Sequence, residues 1–338
     1  MHVFITGVNG FVGSHLAEYC LKQGAEVYGL CRPGANLANL TPFYRDLHIV
    51  YGDLNNLQEV HQALDYSQPN LVFHLASQTS VPLSWQNPSE TIFNNVNSEL
   101  NLLEALSGSR AKVHIASSSA VYGSSSADAK PFNEEDQLRP LSPYGVSKAA
   151  QELLAWQYGH TQNLYIVCTR AFHHTGPRQS SQYALADFAR QIATIENKQQ
   201  DPIIKTGDLS CSRDYCDVRD VVAAYWQLLN SPNTNNQVYN VCSGQSLHME
   251  QILKDMLSLS EVKISTEQDP SKIRLHKEAD IICGNKQKIE KAIGWQTQIP
   301  LTVMLSDLLN YWRNLIKTKR SKARQYLAFT THLASKYK

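Results

Sequence analysis

Apolar residues along this chain fall into two alternating rhythms. Short, nearly continuous apolar runs occur at HVFITG, AEVYGLC, LHIVYGD, NLVFHLAS, AKVHIASSS and LYIVCTRAF, each about as long as a strand buried on both faces. Between them, apolar residues three and four apart predict helices over Gly13–Lys22, Leu57–Leu64, Glu90–Leu106 and Pro143–Tyr158. Strands that alternate with helices predict an α/β fold, a doubly wound parallel sheet with helices on both faces. After Ala171 the rhythm loosens into a Gly/Pro/Arg turn, a helix around Tyr183–Asn197 and mixed short elements from Leu247 to Ile316. The expected organisation is a nucleotide-binding domain over 1–170 that returns around 214–242, a smaller lobe over 171–213 and 243–316, and a tail over 317–338.

Composition changes this picture little. With 338 residues, 42% of them hydrophobic, the chain can bury the core of one large domain and a smaller lobe. Of the 31 basic residues, seven lie in the tail from Lys317, which has no acid, so the rest carries 24 basic against 30 acidic residues. An acidic body sets nucleic acid aside as a partner, and the tail reads either as a solvated helix or as a contact for an anionic surface. The chain enters a predicted strand at once and has no apolar run near the ~18 residues of a membrane span; the expectation is a cytoplasmic protein. Seven cysteines form no CxxC pair, which favours buried thiols over disulfides or a metal site.

The first candidate chemistry is in TGVNGFVG. Gly7, Gly10 and Gly13 follow a predicted strand and open a helix, the context in which backbone N–H groups receive a diphosphate. A Rossmann nucleotide-binding domain is the expectation. NAD enzymes usually place a carboxylate on the ribose about 20 residues later, but the end of the second strand here reads Cys31–Arg32. An arginine suits a 2′-phosphate, so NADP(H) is preferred over NAD(H), the alternative being a solvated Arg32. Asp53, in YGDL, either caps a turn or accepts from adenine.

SPYGVSK supplies the second motif. Ser142 can cap a helix beginning at Pro143, which puts Tyr144 and Lys148 one turn apart on the same face. A nearby ammonium favours phenolate, so Tyr144 can exchange a proton with a sugar oxygen while Lys148 also holds the nicotinamide ribose. The serines of SSSAVYG end an intervening strand, but Ala120 follows them, and a methyl group does no acid–base work.

Together TGVNGFVG, YGDL, FHLASQTSV, SSSAVYG, SPYGVSK, RAFHHTGPR and VRDV resemble the extended short-chain dehydrogenase/reductase family of nucleotide-sugar epimerases, dehydratases and reductases over about residues 1–316. The second half looks most like the GDP-4-keto-6-deoxymannose reductases, then the GDP-mannose 4,6-dehydratases. The resemblance implies Ser118, Tyr144 and Lys148 as catalytic residues. It implies a cofactor site of Asn9, Phe11, Val12, Asp53, Leu54, Leu75, Ala76, Ser77 and His174 beside the glycines, Arg32, Tyr144 and Lys148. Ser119, His173, Arg178, Arg190, Arg213 and Arg274 are the implied substrate contacts.

Three departures qualify that transfer. The dehydratases keep a glutamate where this chain has Ala120, and the bifunctional GDP-fucose synthases keep a cysteine. His173 stands where the family has asparagine, and RLHKEAD around Arg274 lacks the proline of the family's R-P-x-E pattern. The resemblance therefore implies reduction at C4 of a GDP-linked 4-keto-6-deoxyhexose, with a redox epimerase, a dehydratase and a non-catalytic nucleotide-binding protein as alternatives. It also implies a homodimer or tetramer through helices 90–106 and 143–158, although Leu153, Leu154 and Trp156 of the second helix also suit a core.

Overall fold

The computed structural model describes residues 1–124, 130–273 and 281–336, from residue 319 on as main chain alone. In chain order the first elements are β1 (His2–Thr6), α1 (Phe11–Lys22), β2 (Glu26–Cys31), β3 (Leu47–Tyr51), α2 (Leu57–Ser67), β4 (Leu71–His74), α3 (Val81–Gln86) and α4 (Pro88–Ala105). They continue with β5 (Lys112–Ser118), α5 (Pro143–Thr161), β6 (Tyr165–Ala171), β7 (His173–Thr175), α6 (Ala184–Glu196), β8 (Ile203–Thr206), β9 (Ser212–Asp217) and α7 (Val218–Asn230). The last are β10 (Gln237–Val241), β11 (Ser246–His248), α8 (Met249–Ser258), β12 (Ser265–Gln268), β13 (Ile281–Ile282), α9 (Gln287–Ile293) and α10 (Leu301–Lys336).

The chain forms two compact units. The first, Met1–His174 with Cys211–Leu247 and His276–Ile299, contains a seven-stranded sheet in the order β10-β6-β5-β4-β1-β2-β3. All its pairings are parallel, so the expected doubly wound α/β fold is present. The six apolar runs of the sequence are β1 to β6. The seventh strand, QVYNV, is harder to see because Asn240 breaks its apolar run. Asn240 is buried, accepts from Tyr122 Oη at 2.6 Å and donates to the Phe132 carbonyl at 2.9 Å; these partners are more than a hundred residues away.

Helix starts follow local chemistry. Asn56 caps α2 by accepting from Gln58 and Glu59, Ser142 caps α5 by accepting from Gly145, and Asp217 caps α7 through Arg219. The first helix begins at Phe11, two residues before the expected start, because Gly10 is its last extended residue. On one sheet face α1 and α7 bury Leu16, Ala17, Cys20, Val221 and Leu228; on the other α2, α4 and α5 bury Val60, Leu64, Leu102, Leu103 and Ala155. Each fully buried large aliphatic side chain contributes about 1.5–3 kcal/mol.

One buried ion pair ties three of these elements together. Arg170 on β6 donates from Nη2 to Glu152 Oε2 on α5 at 2.7 Å, and from Nε to both carboxylate oxygens at 3.0 and 3.1 Å. Its Nη1 donates to Tyr122 Oη and the Glu134 carbonyl, each at 2.9 Å, while Ser117 Oγ on β5 donates to Glu152. Four of the five N–H donors of the guanidinium are thus used inside the fold.

The second unit, Thr175–Ser210, His248–Leu275 and Pro300–Lys338, pairs β8 with β12 in parallel. In it α6 packs on α8 and α10, burying Leu185, Phe188 and Ile192 together with Met304, Leu308 and Leu309. Arg313 Nη2 donates to Glu196 Oε1 at 2.7 Å across this packing.

Glu152→Gln keeps the shape of the side chain but leaves the Arg170 guanidinium buried beside a neutral amide. It is expected to lower the unfolding free energy by about 3–5 kcal/mol, the usual consequence of removing one partner of a buried pair. Urea denaturation followed by circular dichroism checks this, and a loss below about 1 kcal/mol would contradict it.

Candidate active site

The glycine turn is shaped by close approaches. Gly7 has φ +68°, and a Cβ there would lie 2.9 Å from the Ala76 backbone; a Cβ on Gly13 would lie 2.2 Å from the Gly7 carbonyl. Only hydrogen fits at either position. Thr6 Oγ1 accepts from the amides of Leu75 and Ala76, both at 3.1 Å, which draws the segment after β4, with half-buried Ser77, to the same turn. At the start of α1 no side chain caps the helix, so the first-turn amides of Phe11, Val12 and Gly13 present donors to an anion. A diphosphate fits this donor set.

Asn9 joins the turn to the segment after β2. Its Oδ1 accepts from Cys31 Sγ at 3.6 Å, its Nδ2 donates to the Asn36 carbonyl at 3.1 Å, and its carbonyl accepts from Asn39 Nδ2 at 3.2 Å. Arg32 is exposed at the head of that segment. Asp53 Oδ1 caps its turn by accepting from the Asn55 amide at 2.9 Å, and Leu54 beside it is buried. His174 stacks on Phe11 with ring centroids 6.0 Å apart, which brings β7 to the same turn.

The Ser, Tyr and Lys of the two motifs come together where α5 starts. Ser118 ends β5 and accepts from the Ala120 amide at 3.2 Å. A Cβ on Gly145 would lie 2.7 Å from the Ala120 carbonyl, so the first turn of α5 rests directly on the Ser118–Ala120 turn and carries Tyr144 there. Lys148 is buried and donates from Nζ to the Ala116 carbonyl on β5 at 2.8 Å; the same nitrogen is 6.0 Å from the centre of the Tyr144 ring. Burial pushes its ammonium below the usual lysine range, against the pull of Glu99 and Glu152. Ser119 is buried beside the half-buried Ala120.

The expected substrate residues have separate settings. Arg213 on β9 is buried, with Nη1 donating to the Ser212 carbonyl at 2.9 Å, and the His173 ring is 5.4 Å from that of Tyr215 on the same strand. In the second unit, Arg178 has φ +72°. Arg190 there is held by Asp187, with Nη2 to Oδ1 at 2.7 Å. Arg274 lies outside the described residues.

Sequence reading passed over a polar layer behind Tyr144 and Lys148. Asn95 on α4 donates from Nδ2 to Ser147 Oγ at 2.9 Å, and Ser147 donates to the Tyr144 carbonyl at 2.7 Å. Gln151, His74 and Glu99 are buried in the same layer. Burial pushes the His74 imidazole down to about 3, so it is neutral. A signal was present: Asn95, Ser98 and Glu99 lie on the helical stripe that also carries Leu102 and Leu103, a polar interruption of a core face.

The chain is similar to proteins of known activity. The model of the family described as GDP-mannose 4,6 dehydratase matches residues 4–308. GDP-6-deoxy-D-mannose reductase of Pseudomonas aeruginosa is 33% identical over 317 residues, covering 93% of this chain and 98% of that protein. GDP-mannose 4,6 dehydratase 1 of Arabidopsis thaliana is 28% identical, over 94% of this chain and 91% of its own length. Among solved structures, RMD from Pseudomonas aeruginosa complexed with NADPH superposes with a TM-score of 0.80 at 31% identity, over 93% of this chain and 99% of that one. A UDP-glucose 4-epimerase of Thermus thermophilus in complex with NAD gives 0.82 at 27% identity, over 93% and 99%. The chain belongs to the GDP-mannose 4,6 dehydratase family, within the NAD-dependent epimerase/dehydratases of the extended short-chain dehydrogenase/reductase type, and is an NAD(P)-dependent oxidoreductase.

Proposed function

We propose that this enzyme is an NADPH-dependent reductase of a nucleotide-linked 4-keto-6-deoxyhexose, GDP-4-keto-6-deoxymannose, acting at C4 to give a GDP-6-deoxyhexose of the GDP-rhamnose type. The observation that carries the reading is Ala120. Ser118, Tyr144 and Lys148 gather at one place, yet the adjoining position offers a methyl group where elimination of water would need an acid or base. The Pseudomonas aeruginosa relative named as a reductase supports the same reading.

Bound along the glycine turn, NADPH would supply the hydride for C4. Ser118 Oγ donates to the carbonyl oxygen and polarises it, and Tyr144 gives its phenolic proton to that oxygen as charge develops there. The Lys148 ammonium favours the phenolate left behind and holds the nicotinamide ribose. Asn9, Phe11, Val12 and the three glycines would hold the diphosphate of the cofactor, and Asp53, Leu54, Leu75, Ala76, Ser77 and His174 would complete its site. Arg32 meets the 2′-phosphate; Arg213 meets the diphosphate of the substrate.

A homodimer through α4 and α5 is part of the proposal. Trp156 and Leu153 are 60% and 65% exposed, and Phe93 on α4 is 58% exposed; of the three α5 residues that also suited a core, only Leu154 packs inward. No helix among the described residues is long and apolar enough to cross a membrane.

The wild-type protein is expected to consume NADPH with GDP-4-keto-6-deoxymannose and to form no keto-sugar from GDP-mannose and NADP. Spectrophotometry and NMR at C4 check both arms. Keto-sugar formation from GDP-mannose would make it a dehydratase, whereas tightly bound oxidised cofactor after purification, with no net hydride consumption, would make it an epimerase. In the same assay Tyr144→Phe is expected to lose at least about 100-fold in kcat, the low end of what a positioned proton donor contributes, while NADPH affinity by calorimetry stays near the wild-type value.

For cofactor choice, Arg32→Ala is expected to weaken NADPH about tenfold and NADH hardly at all, since only NADPH offers a phosphate to the guanidinium. Equal losses in the two titrations would remove Arg32 from that role.

Replacing both Leu153 and Trp156 by glutamate is expected to give a folded monomer in sedimentation experiments, from a wild-type dimer. A double variant that still sediments as a dimer would place the interface elsewhere.

A further inference from the structure

Asn9 stands between Val8 and Gly10 in the glycine turn and is half-buried. Two different partners fix the orientation of its side-chain amide: Cys31 Sγ donates to Oδ1 at 3.6 Å, and Nδ2 donates to the Asn36 carbonyl at 3.1 Å. A main-chain carbonyl only accepts, so the reversed amide would set two acceptors against each other. A third bond uses the main chain, since the Asn9 carbonyl accepts from Asn39 Nδ2 at 3.2 Å. Asn9 thus holds the chain just before Arg32 and again at two residues beyond it.

Between those contacts the segment is built to turn. Arg32, Pro33, Gly34 and Ala35 form a reverse turn closed by the Ala35 amide, which donates to the Arg32 carbonyl at 3.1 Å. Proline at its second position and Gly34, with φ +76°, at its third suit a type II turn. Asn36 Oδ1 then accepts from the Ala38 amide at 2.9 Å, and the Leu40 amide donates to the Leu37 carbonyl at 2.9 Å. Ala35 and Leu37 pack against the core, whereas Arg32, Pro33, Gly34 and Asn36 are exposed. With so little packing at Arg32, the direction in which it leaves β2 rests on hydrogen bonds. Among the described residues, those that reach residues 32–39 from outside the segment come from Asn9.

We propose that Asn9 is a specificity-determining positioning residue: by pinning Cys31, Asn36 and Asn39 it holds Arg32 where a 2′-phosphate would meet it, and so sets the choice between NADPH and NADH from the glycine turn. An unpinned segment would sample several directions, and affinity would fall with the fraction of time spent in the competent one. That loss falls on NADPH, because NADH offers Arg32 no phosphate. The role rests on the reading of Arg32 given above; the pinning of the segment does not.

Hydrogen exchange on the cofactor-free protein reads the pinning directly. Asn9→Ala is expected to speed exchange roughly tenfold at the Ala35, Ala38 and Leu40 amides, while the Ser14 amide, which donates to the Gly10 carbonyl inside α1, keeps its wild-type rate. Unchanged exchange at the three segment amides would overturn the proposal. In calorimetric titrations Asn9→Ala is expected to weaken NADPH roughly fivefold and NADH less than about twofold. Asn39→Ala, which removes only the bond to the Asn9 carbonyl and leaves the glycine turn as it is, is expected to shift selectivity the same way by a smaller factor. In an Arg32→Ala background, Asn9→Ala should no longer discriminate between the cofactors, since a residue acting through Arg32 has nothing left to position. Discrimination that persists there, or equal losses of both cofactors in Asn9→Ala while Arg32→Ala stays selective, would remove the role of Asn9 and leave that of Arg32 standing. Equal losses in Arg32→Ala would instead overturn the reading of Arg32 and the role built on it.

Discussion

A buried ammonium is the group around which the nucleotide-binding unit is organised. Lys148 is 3% exposed and spends one donor on the Ala116 carbonyl, a contact that fixes α5 against β5 two residues before Ser118. A cation taken out of water must be compensated. The polar residues on the stripes of α4 and α5 follow from this need, since a purely apolar packing would drive the lysine to its neutral form. The cost in burial is met by charge nearby, and the distribution of that charge decides how much of it the Tyr144 phenol feels.

Two acids share this interior in different ways. Glu152 is fully engaged by Arg170 and Ser117, which makes it a structural anion joining α5, β5 and β6. Glu99 has no comparable donors. One negative charge close to Lys148 is thus already engaged by Arg170. Tyr122 and Asn240 extend the Arg170 network to the edge strand β10, while Lys148 has its own seat on the Ala116 carbonyl.

The cofactor turn depends on steric exclusion instead. Gly7 and Gly13 hold positions where a methyl group would strike main-chain atoms, and the uncapped first turn of α1 leaves its amides for an anion. Asn9 fastens this turn to the segment that begins at Arg32 through Cys31, Asn36 and Asn39. The glycine turn and the segment that begins at Arg32 are therefore held together through one residue.

The sequence by itself determined six strands, the helices between them, the glycine turn and the Tyr144–Lys148 pair, because each rests on short-range periodicity, a cap or a one-turn spacing. Asn56 and Ser142 write two of those helix starts into the chain locally. Tertiary structure alone decided the seventh strand, whose apolar run is broken by an asparagine satisfied at Phe132 and Tyr122, and it decided that Leu153 and Trp156 face outward while Leu154 packs inward. It also decided the setting of Glu99 and Gln151. A polar residue on a core stripe is ambiguous in sequence, since its protonation and partners depend on burial and on groups brought from other strands and helices, and neither distance nor dielectric is encoded in local spacing.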